Sequence, residues 1–300
     1  MPLRLPVSPA TRTVRGLALA SLVSEIVIVV TGGAVRLTGS GLGCPEWPLC
    51  TTESLVNTPE MGIHGFIEFA NRTLTGPLLL IALAMVVVLW NMRRTRRDLW
   101  WLSIALVAGI LLQAVIGGVS VWVDLGPYVV GVHFLVSAIL VALAALLVMR
   151  VWGTTLPKRR DVSFAGWGFA GLTLLVIVAG VLTTGAGPHS GDTLASRNGL
   201  FFGDVLAVHR VLGLVAMGYV AASVVMMWRD VRSRRAWLWV FANYCAQITV
   251  GVIQVEIGLP AALVGVHLLL SMTIIATTVR AIYVSTTSGS IATATNNAVK

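Results

Sequence analysis

The chain has 300 residues, 57% hydrophobic and only 11% charged, with a mean hydropathy of +0.89 and a formal charge of +9. Ordinary soluble domains carry about 25% charged residues, so a soluble enzyme, a DNA-binding protein and a secreted disulfide scaffold are excluded. Short alternating segments of the kind a transmembrane barrel needs are missing. The lipid bilayer is the expected partner and nucleic acid is not.

About 20 apolar residues cross the hydrocarbon core. By that measure the sequence predicts eight helices, at about 14–35, 62–91, 99–122, 128–150, 163–184, 203–228, 236–257 and 260–283. The first is too long for a signal peptide and has no convincing cleavage site, so it is expected to stay as an anchor. The expected fold class is all-α: a polytopic membrane protein whose eight transmembrane helices form two tandem four-helix bundles. Its segments are a cytoplasmic N-terminus (1–13), an N-terminal half (14–150), a cytoplasmic linker (151–162), a C-terminal half (163–284) and a disordered cytoplasmic tail (285–300).

Basic residues sort to one side. Arg4, Arg12 and Arg15 precede the first helix, and Arg93, Arg94, Arg96 and Arg97 join the second to the third. Arg150, Lys158, Arg159 and Arg160 join the halves, and Arg229, Arg232, Arg234 and Arg235 join the sixth helix to the seventh. With Arg280 and Lys300, 17 of the 21 basic residues share a side. The positive-inside rule makes that side the cytoplasm, with both termini on it and a multi-pass position in the plasma membrane. Eight of the ten Trp residues sit at the same helix ends, as an interfacial belt does.

The chain also repeats itself. Gly131-Val132-His133 and Gly265-Val266-His267 open the fourth and eighth helices at an offset of 134, shared by Gln113 with Gln247 and Gly117 with Gly251. Asn71-Arg72 and His209-Arg210 pair at an offset of 138. Two tandem halves of four helices follow, in the same orientation because four is even.

His133, His209 and His267 fall roughly 8–11 Å below the outer ends of their helices. One intramembrane His is ordinarily a polar helix contact. Three at matched depth in a duplicated unit point to metal or haem ligation. Haem is favoured over a bare ion, because the apolar flanks offer few carboxylates or thiolates and a porphyrin wants an apolar pocket between helices. Arg72 and Arg210 are candidates to neutralise its propionates, or else make ordinary ion pairs.

On the second helix, His64, Glu68 and Asn71 share one stripe. A Glu at membrane depth is a functional candidate, its alternative being a hydrogen-bonded structural acid. Glu25, midway along the first helix, has no repeat partner. Cys44 and Cys50 bracket Pro-Glu-Trp-Pro-Leu in an oxidising outer loop and are expected to form a disulfide, or else to switch between dithiol and disulfide. Cys245 reads as a packing residue.

The run Gly-Ala-Val-Arg-Leu-Thr-Gly-Ser-Gly-Leu-Gly-Cys-Pro-Glu-Trp-Pro-Leu-Cys at 33–50 resembles the first outer loop of the haem A synthase family. Thr-Gly-Ala-Gly-Pro-His-Ser-Gly-Asp at 184–192, His209-Arg210 and the two Gly-Val-His segments are similar to the rest of its pattern. The resemblance implies an oxidoreductase that converts the C8 methyl of haem O to the formyl group of haem A for terminal oxidases. It implies haem b as cofactor on His209 and His267, haem O as substrate facing His133, and Glu68 as the catalytic acid. Partners would include a haem O synthase, cytochrome oxidase assembly factors and a second copy of the chain.

One departure stands out. Family members commonly carry Glu-x-x-His-Arg where this chain has Glu68-Phe69-Ala70-Asn71-Arg72. Either His133 alone holds the substrate iron or His64 reaches in from two turns away. The roughly 10 Å of helix axis between His64 and Asn71 favours the first. The alternatives to a synthase are a di-haem b electron-transfer protein and a haem transporter or chaperone.

Overall fold

The computed structural model describes residues 11–153 and 160–287. Most of the expected N-terminal segment, the linker centre (154–159) and the tail beyond 287 lie outside the described residues. Eight helices follow one another: α1 (Arg12–Leu37), α2 (Gly62–Leu89), α3 (Arg97–Trp122), α4 (Pro127–Trp152), α5 (Arg160–Ala186), α6 (Phe202–Met226), α7 (Val231–Glu256) and α8 (Ala261–Thr287). Short 3-10 turns flank α2 at Pro59–Met61 and Trp90–Met92, and no strand occurs among the described residues. All eight helices are long and apolar enough to cross a bilayer. The protein is a multi-pass helical membrane protein.

Two boundaries differ most from the sequence expectation. α7 begins about five residues early, inside the arginine-rich stretch, because the Asp230 carboxylate accepts the backbone N–H of Arg232 and Ser233 and caps the helix. α8 runs through Thr287, so the tail does not begin at 285. Ser285 is buried, and its hydroxyl takes the indole N–H of Trp237 at 3.0 Å. A docked end stays helical.

In the first half each helix packs on the next and α4 closes on α1; α5 to α8 repeat that ring. The halves meet where α8 lies against α1 and α4, and α4 against α5. Val29, Ala138, Val141, Met272 and Ile275 fill this seam. Lipid is as apolar as these side chains, so close packing rather than water exclusion holds such helices together.

The connections α1–α2, α3–α4, α5–α6 and α7–α8 lie at one end, the loop face; the arginine-rich connections lie at the other, the arginine face. The two main cores sit towards the arginine face. One joins Val14, Ala18, Leu89, Leu99 and Leu147; the other joins Phe169, Val220, Trp237 and Val240. Nearer the loop face the packing opens. The first buried residue of α6 is Ala216 and that of α8 is Met272. This opening places the site.

The loop face is stitched across the seam. Arg36 at the end of α1 donates from Nε to the His189 carbonyl (2.7 Å) and from Nη2 to that of Thr184 (3.2 Å). The Gly41 N–H donates to Gly191 O at 2.9 Å, and His189 Nε2 donates to Leu259 O at 2.9 Å.

Candidate functional site

His209 on α6 and His267 on α8 face each other in the open layer, with ring centroids 6.3 Å apart and planes at 67°. His209 Nδ1 lies 3.0 Å from the Val176 carbonyl of α5. A carbonyl only accepts, so Nδ1 carries the proton and Nε2 keeps its lone pair. His267 Nδ1 is buried without a hydrogen-bond partner.

Both rings lie against bare backbone. A Cβ on Gly180 would stand 3.0 Å from His209 Cε1, and one on Gly251 would stand 3.1 Å from His267 Cε1. Any larger residue would push the imidazole out of place. In the N-terminal half Gly117 meets His133 Cε1 in the same way, at 3.4 Å from the built Cβ. Asn71 then occupies on α2 the place that His209 occupies on α6. Its Nδ2 lies 3.7 Å from a Cβ built on Gly32 of α1. His133 Nδ1 and Asn71 Oδ1 are both buried and unpartnered. Gln113 Nε2 donates to the His133 carbonyl at 3.0 Å and also pairs with the Ser137 hydroxyl, holding α3 to α4 one turn from the imidazole.

Glu68 stands beside this layer in an ion pair. Its Oε2 accepts the Cys44 N–H at 2.7 Å, and its Oε1 accepts from Arg72 Nε (3.1 Å) and Nη2 (2.5 Å). The remaining Arg72 donors go to the carbonyls of Cys44 (2.7 Å), Glu46 (2.8 Å) and Leu49 (3.1 Å). All five guanidinium N–H groups are used, so Arg72 holds the loop rather than waiting for a propionate. Arg210, its repeat partner, is exposed with no ion pair among the described residues, because Leu206 stands where Glu68 stands in the first half.

His64 is turned away from this layer. It is exposed and its Nδ1 pairs with Ser40 Oγ at 2.8 Å. Glu25 is buried on α1, roughly 18 Å from that helix's loop-face end and so below the imidazoles. Cys245 is a half-buried free thiol.

Cys44 and Cys50 form a disulfide, both sulfurs buried under the loop that Arg72 holds. Closing so short a loop stabilises the fold by about 2 kcal/mol in the chain-entropy account. A Cys44→Ala/Cys50→Ala variant is expected to melt several degrees lower. Alkylated, unreduced protein should show no label at either position by mass spectrometry; two labelled thiols there would remove the bridge.

A porphyrin fits this donor set. Two metal–nitrogen bonds of about 2 Å, plus roughly 1 Å from each nitrogen to its ring centre, span about 6 Å. The observed imidazole separation is 6.3 Å. Among the described residues no three His, Cys, Asp or Glu side chains group as a bare-ion site. What the C-terminal half offers is two imidazoles, bare glycine backbone behind each, and an open layer around them.

Fold and site together define a multi-pass helical membrane protein with paired imidazoles in a duplicated core. Residues 15–279 match the COX15-CtaA family, described as cytochrome oxidase assembly protein, and the chain belongs to that family. It is 24% identical over 244 residues to the haem A synthase of Bacillus licheniformis, covering 76% of this chain and 80% of that one. It is 35% identical over 149 residues to the haem A synthase of Bacillus pumilus, covering 48% of each chain. With the haem A synthase of Listeria welshimeri it shares 30% identity over 133 residues, 44% of this chain and 43% of that one.

The sequence brought out every titratable residue of the layer. It missed Gly180, the Val176 carbonyl and the loop carbonyls that Arg72 holds. The offset shared by Gly117 and Gly251 was the available signal for the glycines, since a repeated glycine beside a repeated histidine marks a close approach.

Proposed function

We propose that this protein is a haem A synthase, oxidising the C8 methyl of haem O to the formyl group of haem A. The observation that carries the reading is an asymmetry between two otherwise matched halves. Among the described residues, the C-terminal half presents two facing imidazoles and no acid at that depth. The N-terminal half presents one imidazole, an amide and a buried carboxylate. The first set suits a haem that stays; the second suits one that is exchanged and worked upon.

In this reading His209 and His267 hold haem b, with Val176 fixing the His209 tautomer. When bound there, haem b supplies one-electron redox chemistry. His133 binds the substrate iron, and Gln113 with Ser137 fixes the helix backbone that carries it. Converting a methyl to a formyl group is a four-electron oxidation that replaces two hydrogens by one oxygen. It needs dioxygen or water as oxygen donor, an external electron acceptor, and a group at this depth that takes up protons. Glu68 takes that duty, in reach of the loop face through the Arg72-held loop. The family's description as a cytochrome oxidase assembly protein supports a terminal oxidase as the consumer of the product. The sequence sorts 17 of the 21 basic residues to one side of the predicted spans, which supports a plasma-membrane orientation with both termini cytoplasmic.

The test is to purify the protein after expression with a haem O source, extract its haems and resolve haems B, O and A by chromatography. We expect haem B at one per chain and haem A rising as haem O falls. Haem O carried through unchanged, with no hydroxylated or formyl product, would place the protein among carriers instead.

A further inference from the structure

We propose that the N-terminal half leaves its substrate porphyrin iron open on the Asn71 side, so that the site takes a small neutral axial ligand there, hydrogen-bonded by the Asn71 amide. The inference rests on the reading of that half as a haem site, and it deepens that reading by naming a second ligand class.

The placement comes from the repeat. Gly117 backs His133 as Gly251 backs His267, and Gly32 backs Asn71 as Gly180 backs His209. By the repeat, Asn71 therefore stands on α2 where His209 stands on α6, the position from which an axial histidine would come. It cannot act as one. The amide nitrogen's lone pair is delocalised into the carbonyl, and the side chain is shorter than histidine's by most of a ring. What it has is a donor at one end and an acceptor at the other.

No other group on α2 fills the gap. Glu68 is committed to Arg72 and the Cys44 N–H, and all five Arg72 donors are used. His64 is exposed and bonded to Ser40. Asn71 Oδ1, meanwhile, is buried with no partner, and a buried polar atom without a partner is costly. An axial water would donate to Oδ1, and a diatomic such as dioxygen or carbon monoxide would accept from Nδ2. A haem held between His209 and His267 would have no such position, because both imidazoles would be spent on its iron.

Carbon monoxide is the probe. The full-length protein is loaded with iron protoporphyrin IX to two haems per chain, reduced with dithionite and titrated with the gas. We expect one haem per chain to bind it and the other to keep its six-coordinate spectrum. Asn71→His should abolish the carbon monoxide spectrum and leave two six-coordinate haems. Asn71→Leu should keep it, but shift the bound C–O stretch and speed release roughly fivefold, as loss of one hydrogen bond does.

Two loaded haems that both refuse carbon monoxide overturn the inference, as does an Asn71→His protein that binds it like the parent. Failure to load a second haem overturns it too. Haem A formation is read separately by chromatography. A protein that makes haem A while refusing carbon monoxide defeats this inference alone; one that binds the gas but makes no haem A defeats only the synthase reading.

Discussion

Replacing His209 or His267 by alanine is expected to strip the purified protein of the haem b proposed for this pair and of the low-spin spectrum that goes with it. The two rings face each other 6.3 Å apart, and each rests on a glycine that leaves its ring no room to be replaced from behind. Losing an outer partner of a metal-bound histidine typically costs 10–100-fold in affinity. Losing the ligand itself should exceed that, so haem content after detergent washing should fall from one per chain to a small fraction. Pyridine haemochrome content and the reduced absorption spectrum check it. Single variants that both keep full haem b and an unchanged spectrum would move the cofactor elsewhere. His64→Ala is the matched control, because His64 is exposed and bonded to Ser40, and its haem b content should equal the parent's.

Glu68→Gln is expected to separate the loop contacts of this carboxylate from the proton-carrying duty proposed for it. Gln keeps an oxygen for the Cys44 N–H but leaves Arg72 without its counter-charge. The side chains are 22% and 7% exposed, so water screens part of the loss. On the order of 2 kcal/mol of stability should go. Haem A formation should fall further, by 100-fold or more, as when a proton carrier is removed. The haem b proposed for His209 and His267, in the other half, should remain. The expected extract is haem B with haem O or a hydroxylated intermediate. Parental haem A output from Glu68→Gln would assign Glu68 to holding the loop, and His189 would be the next group to test for proton transfer.

Legibility followed range. Helix count and placement were readable because a bilayer imposes one length and one polarity on every span. α7 was misjudged at its start because five residues rich in arginine look like a loop, and only the Asp230 cap shows that they are helical. The imidazole layer was readable because helix rise converts sequence position into depth. Which face of the layer each side chain looks onto was not, because that depends on helix rotation and on neighbours far along the chain.

By itself the sequence determined eight spans, the sorting of charge, the tandem repeat and the depth of His133, His209 and His267, all of which follow from local hydropathy and a fixed rise per residue. Only the tertiary structure decided that His209 and His267 face each other, that Val176 sets one tautomer, and that Gly180 and Gly251 back the two rings. It also decided that Arg72 belongs to Glu68 and the Cys44–Cys50 loop, whereas the sequence left it open for a propionate. Apart from the Arg72–Glu68 pair within α2, those contacts join different helices or a helix to a loop, and their geometry is set by how these segments pack against one another, a property no single segment carries.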